Sequence, residues 1–218
     1  GAEATFSFPV RHAVVQGAGV EAVVHAPDAQ LIPRFEAAAR RLEAEGCVAI
    51  TSTCGFLAAW QDRLAAAVNV PVLASALLQW PLVQRALPAG RRAGIVTYSA
   101  TALTPAVLES AGIAPGTPIA GVDAQGYFAA TIRNGADTLD PGRMCTDVVI
   151  AARTLAARHH DLGALVLECA NMPPYARAVA RAVGLPVFDA VDLISWFHAA
   201  ASRGRGMRDD RGWSVVPP

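Results

Sequence analysis

The chain contains no lysine; all 18 of its basic residues are arginine. That absence removes the Schiff-base amine of pyridoxal-phosphate chemistry and the lysine of a nucleotide-binding P-loop. Charge is scarce as well, at 17% of residues, and it balances to a formal net charge of zero. Neither nucleic acid nor an anionic membrane therefore has an electrostatic footing as a partner. No apolar run reaches the roughly 18 residues that a spanning helix needs. The four cysteines, Cys47, Cys54, Cys145 and Cys169, form no C-x-x-C pair and no Cys/His cluster with zinc-ligand spacing. Gly17-Ala18-Gly19 lacks the third glycine of a dinucleotide loop, because position 22 is alanine. No cofactor and no metal are expected.

What is present is apolar material, 53% of 218 residues, which is ample for a continuous core. A disulfide framework does not suit so long a chain, and the cysteines read as reduced thiols of a cytoplasmic protein. The first residue is Gly1, which leaves a removed leader open. Apolar spacing predicts helices over 31–45 (stopped by Gly46), 57–68, 79–87, 101–112 (capped by Thr101, ended by Gly112), 146–160 and 175–184, and a last one at the end of 185–200. Between them stand short apolar runs at 48–51, 70–75, 93–99, 164–167 and 186–188, which read as strands. Strands alternating with helices argue for parallel sheets built from βαβ units and covered on both faces. Residues 115–142 read as irregular, with Tyr127 and Arg133 as contributors to a lid, and the tail from Ser202 reads as fraying.

The chain also repeats itself. Cys54 and Cys169 lie 115 positions apart, and the same offset carries Ile50 onto Leu165, Trp60 onto Tyr175, Val68 onto Val183 and Pro71-Val72 onto Pro186-Val187. A constant offset without insertions marks a duplicated unit. The expected architecture is α/β, with two pseudo-symmetric domains, each a parallel sheet flanked by helices, and an active site in the cleft between them. Approximate boundaries are 1–88 plus 192–218 for the first half and 89–191 for the second. The counterpart of the strand at Gly94 would precede Gly1, so the first half's opening strand is absent from the sequence. An N-terminal stretch carrying that strand, and an intact mass above 22.7 kDa, are the expectation.

Each of the two matched cysteines ends an apolar run and precedes a helix. Backbone N–H groups there are unpaired and favour thiolate, and they would also accept a substrate carboxylate. Two equivalent thiols across a pseudo-twofold axis make a proton donor and a proton acceptor for a carbon next to a carboxylate. Cys47 and Cys145 have no repeat partner and read as core. Ser52, Thr53, Ser99 and Asn171 lie in strand-end turns, where they could bind carboxylate oxygens or simply form the turn. Glu168 reads as a solvated or helix-end carboxylate, and His159-His160 as a pair bonding the last carbonyls of its helix.

On these residues the chain resembles the aspartate/glutamate racemase superfamily, which includes hydantoin racemases, arylmalonate decarboxylases and maleate isomerases. The resemblance covers nearly the whole chain. Gly46 followed eight positions later by Cys54 is similar to the family's first cysteine motif, and LECANMP, with Cys169 and Pro173, to its second. GIVTYSAT resembles the carboxylate loop, with Tyr98 and Thr101 in the places of its threonines. The resemblance implies a cofactor-independent racemase or epimerase with Cys54 and Cys169 as acid and base. It also implies substrate contacts from Ser52, Thr53, Gly55, Phe56, Tyr98, Ser99, Ala100, Thr101, Ala170, Asn171 and Met172. The chain departs from the amino-acid branch at Gly55-Phe56, in place of Asn-Thr, and at Ala170-Asn171, in place of Thr-His. Phe56, Tyr98 and Met172 imply an apolar pocket, which fits a less polar carboxylate or a hydantoin-like ring better than free glutamate. A decarboxylase or cis–trans isomerase, and a non-catalytic binding or thiol-sensing protein, are the alternative readings. A homodimer or larger homo-oligomer is compatible with all of them.

Overall fold

The computed structural model describes residues 5–135 and 138–203. Among the described residues, six strands form two all-parallel sheets. The smaller pairs β1 (Ile50–Thr51) with β2 (Val72–Leu73). The larger has the order β4-β3-β5-β6, with β3 at Arg92–Thr97, β4 at Ile119–Gly121, β5 at Leu162–Leu167 and β6 at Val187–Phe188. Helices connect them: α1 (Ile32–Ala44), α2 (Gln61–Ala66), α3 (Trp80–Ala86), α4 (Pro105–Ser110), α5 (Tyr127–Asn134), α6 (Pro141–Arg158), α7 (Ala176–Val183) and α8 (Ala190–Ala201). No helix among the described residues is long and apolar enough to cross a membrane.

The 115-residue repeat is visible in the hydrogen bonds themselves. Ile50 pairs with Val72 and Thr51 with Leu73; at the same offset Leu165 pairs with Val187 and Val166 with Phe188. Ile50 N–H donates to the Pro71 carbonyl at 2.9 Å, and Leu165 N–H to the Pro186 carbonyl at 2.9 Å. After each cysteine the chain makes a tight turn, with Leu57 N–H bonding the Cys54 carbonyl and Met172 N–H that of Cys169. A 3₁₀ segment follows in both places (Gly55–Trp60 and Pro173–Tyr175), and then α2 and α7 start at equivalent residues. The molecule is therefore built from two pseudo-symmetric α/β units, as the sequence predicts.

Several elements differ from expectation. The helix predicted at 57–68 is α-helical only over Gln61–Ala66, because its first four residues belong to the 3₁₀ segment Gly55–Trp60. Thr101 caps nothing; the cap of α4 is Thr104, whose Oγ1 accepts from Val107 N–H, and Pro105 can occupy the first turn since its missing N–H is not needed there. Helix α6 starts at Pro141 rather than 146, because Asp140 accepts from the N–H groups of Gly142 and Arg143. Residues 115–142 are expected to be irregular; among those described, β4 and α5 stand there, with Phe128 and Ala129 buried and α5 closed by Gly135 at φ 58°. The His159 ring faces the Arg92 guanidinium at 3.5 Å instead of the helix carbonyls.

Two apolar clusters hold the sheets. The larger surrounds β3 and β5 and includes Ile95, Val96, Phe128, Val148 and Leu165. Gly94 lets β3 lie against Leu155, Leu162 and Leu165, where a Cβ would collide with their side chains. The smaller cluster joins α1 to the β1–β2 pair through Leu31, Ala39, Ile50, Leu57, Leu64 and Val72. The turn after Cys54 straddles both, since Phe56 and Ala58 enter the larger cluster and Leu57 the smaller. Cys54 itself packs against each.

Candidate active site

The carboxyl ends of β1, β3 and β5 converge on one cavity of about 450 Å³, lined by Ser52, Thr53, Cys54, Phe56, Tyr98, Glu168, Cys169 and Asn171. Residues 11–15, 18–20 and 23–24 of the N-terminal segment add to its wall, as do α1 and the β1–β2 pair. Parallel α/β sheets place ligand sites at this end of their strands, where the loops to the following helices leave a crevice. Both matched thiols thus face the same space.

The remaining residues expected from the sequence are placed differently. Gly55 lies beneath the wall, buried. Met172 is fully buried in the larger core cluster. Ser99 and Thr101 bond one another through their hydroxyls at 3.2 Å. Ala100 lines a separate cleft beside β4 and α6, and Ala170 follows Cys169 half-buried. Ser52 Oγ donates to the carbonyls of Cys54 and Ala74 and accepts from Cys54 N–H at 3.2 Å, so its hydroxyl shapes the cysteine loop. Asn171 Nδ2 donates to Cys169 Sγ at 3.7 Å. Tyr127 and Arg133 stand away from the cavity. The phenol of Tyr127 accepts from Asp140 N–H, and Arg133 donates to the Ala124 carbonyl.

The electrostatics reverse one expectation. The N–H groups of Phe56 and Leu57 point at Cys54 and favour its thiolate, but burial, followed by the Glu168 charge, pushes the thiol up to about 12. Cys169 is raised for the same two reasons, against the opposing N–H and amide of Asn171. Dry surroundings outweigh a few aligned dipoles.

Glu168 is the group that sequence reading misplaced. It is not solvated; it is 2% exposed and lies at the heart of the cavity wall. Its Oε2 accepts from Thr97 Oγ1 at 2.8 Å and from Tyr98 N–H at 3.2 Å, and Gly55 N–H also bonds the carboxylate. A Cβ on Gly55 would stand 2.5 Å from Glu168 Cγ and closer still to Oε1. The glycine after Cys54 is therefore the room that the carboxylate occupies. Burial raises Glu168 to about 7, while the three donors pull the other way. A charged residue closing the apolar run ALVL was the sequence signal for this placement: a strand buried on both faces has no solvent to offer it.

Residues 25–197 match the family of Asp/Glu/hydantoin racemases. The chain is similar to dimethylsulfoniopropionate lyase 5 of Emiliania huxleyi (strain CCMP1516), with 32% identity over 183 residues, which is 80% of this chain and 36% of that relative. The chain thus spans about a third of that relative's length. In structure it is similar to arylmalonate decarboxylase, with a TM-score of 0.56 at 16% identity over 86% of this chain and 83% of that one. It is likewise similar to the glutamate racemase RacE1 of Bacillus anthracis, with a TM-score of 0.55 at 16% identity over 89% and 69% of the two chains. These likenesses extend the shared fold across racemases and a decarboxylase. With the family's sequence pattern covering most of its length and the family's paired α/β architecture in place, the chain belongs to the Asp/Glu/hydantoin racemase family.

Proposed function

We propose that this protein removes a proton from the carbon next to a carboxylate without a cofactor, using Cys54 and Cys169 as its acid and base. We further propose that the resulting carbanion expels a leaving group from the neighbouring carbon, as in the cleavage of dimethylsulfoniopropionate. The observation that carries the reading is the pair of thiols, equivalent in the repeat and lining one cavity. Kinship with a dimethylsulfoniopropionate lyase at 32% identity favours elimination as the outcome.

The chemistry balances without help. One cysteine loses its thiol proton to solvent against the upward push of burial, takes the α-proton as a thiolate and becomes a thiol again; the C–H electron pair forms the C=C bond. The C–S bond breaks with its electrons on sulfur, giving neutral dimethyl sulfide and acrylate.

A racemase or epimerase is the second reading, favoured by the equivalence of the two thiols, one to remove a proton and one to return it. A single experiment in D₂O separates them. Lyase activity yields dimethyl sulfide and acrylate in equal amounts from dimethylsulfoniopropionate, and Cys54→Ser and Cys169→Ser each lower the rate by roughly 10²-fold or more. Deuterium at the stereogenic carbon of an amino acid or hydantoin, with inversion and without dimethyl sulfide, would establish the racemase instead. Full activity in both serine variants would refute the thiol assignment altogether.

A further inference from the structure

Glu168 is a buried carboxylate for which the thiol pair has no use. Three donors, Thr97 Oγ1, Tyr98 N–H and Gly55 N–H, hold it on the wall of the cavity and favour its charged form. Yet among the described residues no arginine forms an ion pair with it, and the chain has no lysine. A buried charge without an opposite charge is costly, and the cost is recovered when a cation arrives beside it. Two aromatic residues, Phe56 and Tyr98, line the same cavity as Glu168. Aromatic faces attract cations that carry methyl groups and have no N–H to donate.

We propose that Glu168, with the rings of Phe56 and Tyr98, is a cation subsite, and that the ligand of this cavity is a zwitterion with a sulfonium or quaternary ammonium group at one end and a carboxylate at the other. The onium group needs no hydrogen bond, which suits a carboxylate whose lone pairs are already engaged by three donors. An anionic second arm, as in a malonate or a dicarboxylic amino acid, would meet the Glu168 charge and be repelled. The subsite thereby selects the substrate class of the reaction proposed above, and it rests on that reading for the carboxylate end.

The test measures binding and needs no turnover, so it can fail while the lyase reading stands, and the reverse. The probes are 3-(trimethylammonio)propanoate and its neutral-headed isostere 4,4-dimethylpentanoate, which differ only in a central N⁺ or C. Calorimetric titration of the wild-type protein should show the ammonium compound binding roughly tenfold tighter or more. That preference should shrink as pH falls through about 7, where Glu168 takes up a proton. Arg11, His12, Cys54, Tyr98 and Cys169 also face the cavity and can titrate or carry charge. They, and the His25 ring that lies against Tyr98, act on the ammonium of one probe alone, so the comparison of wild type with Glu168→Gln is what isolates Glu168. Glu168→Gln should abolish the preference and its pH dependence. Equal affinities in the wild-type protein, a preference that ignores pH, or a preference that survives in a folded Glu168→Gln protein would each overturn the proposal.

Discussion

Placing a single methyl group on Gly55 should unlock the cavity wall. In Gly55→Ala the new carbon would stand 2.5 and 2.7 Å from Cγ and Cδ of Glu168, and nearer to Oε1. Gly55 is not among the residues with positive φ, so backbone strain does not enter. The collision alone acts. The carboxylate must swing out of the space it fills, breaking its bonds with Thr97 and Tyr98 at 2.8 and 3.2 Å. A hydrogen bond to a charged group is worth about 1.5–3 kcal/mol, and Thr97, fully buried, would keep an unsatisfied hydroxyl. Together these give about 3–5 kcal/mol of destabilisation. At about 2–4 °C per kcal/mol for a chain of this size, Tm should fall by roughly 10 °C. The decisive measurement is a double-mutant cycle by urea unfolding. Glu168→Ala should itself cost about 2–4 kcal/mol, through lost contacts and orphaned donors. In that background, however, the alanine at 55 has room and should cost under about 1 kcal/mol, giving a coupling of about 2 kcal/mol or more. Additivity within about 0.5 kcal/mol would mean that the glycine and the carboxylate do not share the space, and the account of the site would fall.

Stability should depend on pH through the same carboxyl group. Glu168 is raised from 4.5 to about 7 on folding. The folded protein therefore holds its proton more tightly, and the contribution is present in full below about pH 4.5 and lost as pH rises through about 7. A loss of about 3 kcal/mol corresponds to that shift. Urea midpoints of wild type minus Glu168→Gln should fall across this window, and a flat difference would refute it. At the start of α8, Asp189 accepts from the N–H groups of Val191 and Asp192, and Asp192 returns a bond to Asp189 N–H. Asp189→Ala should cost about 1–2 kcal/mol by thermal unfolding, whereas Asp189→Asn, an equally good cap, should restore most of it.

Much of the architecture was legible because the duplicated unit fixes its own register. Pro71-Val72 and Pro186-Val187 had to pair alike if the repeat was real, and they do, bond for bond. That the two matched cysteines would line one cavity was legible for the same reason. Lost to sequence reading were features set by contacts distant in the chain. The helix α5 is short and flanked by glycines, and what stabilises it is burial of Phe128, which no local pattern announces. Burial likewise reverses the thiol shift, since a helix-end dipole can be read locally but a dry environment cannot. Glu168 and Gly55 explain one another only across a gap of more than a hundred residues. In the repeat they fall opposite Thr53 and Ala170, so they mark the place where the two halves stop being equivalent.

The unequal size of the two sheets gives the cavity one firm wall and one soft wall. Cys169 rises from β5, a central strand of the four-stranded sheet whose last four residues are fully buried. Cys54 rises from β1, where two residues pair with two others. Local opening costs least where few buried contacts must be given up. Backbone amides of Ile95, Val96 and Leu165 should exchange with solvent only on global unfolding, while those of Ile50 and Val72 exchange in smaller openings. Openings of the cavity would then come on the side of Cys54, with Cys169 and Glu168 held still on the firm wall.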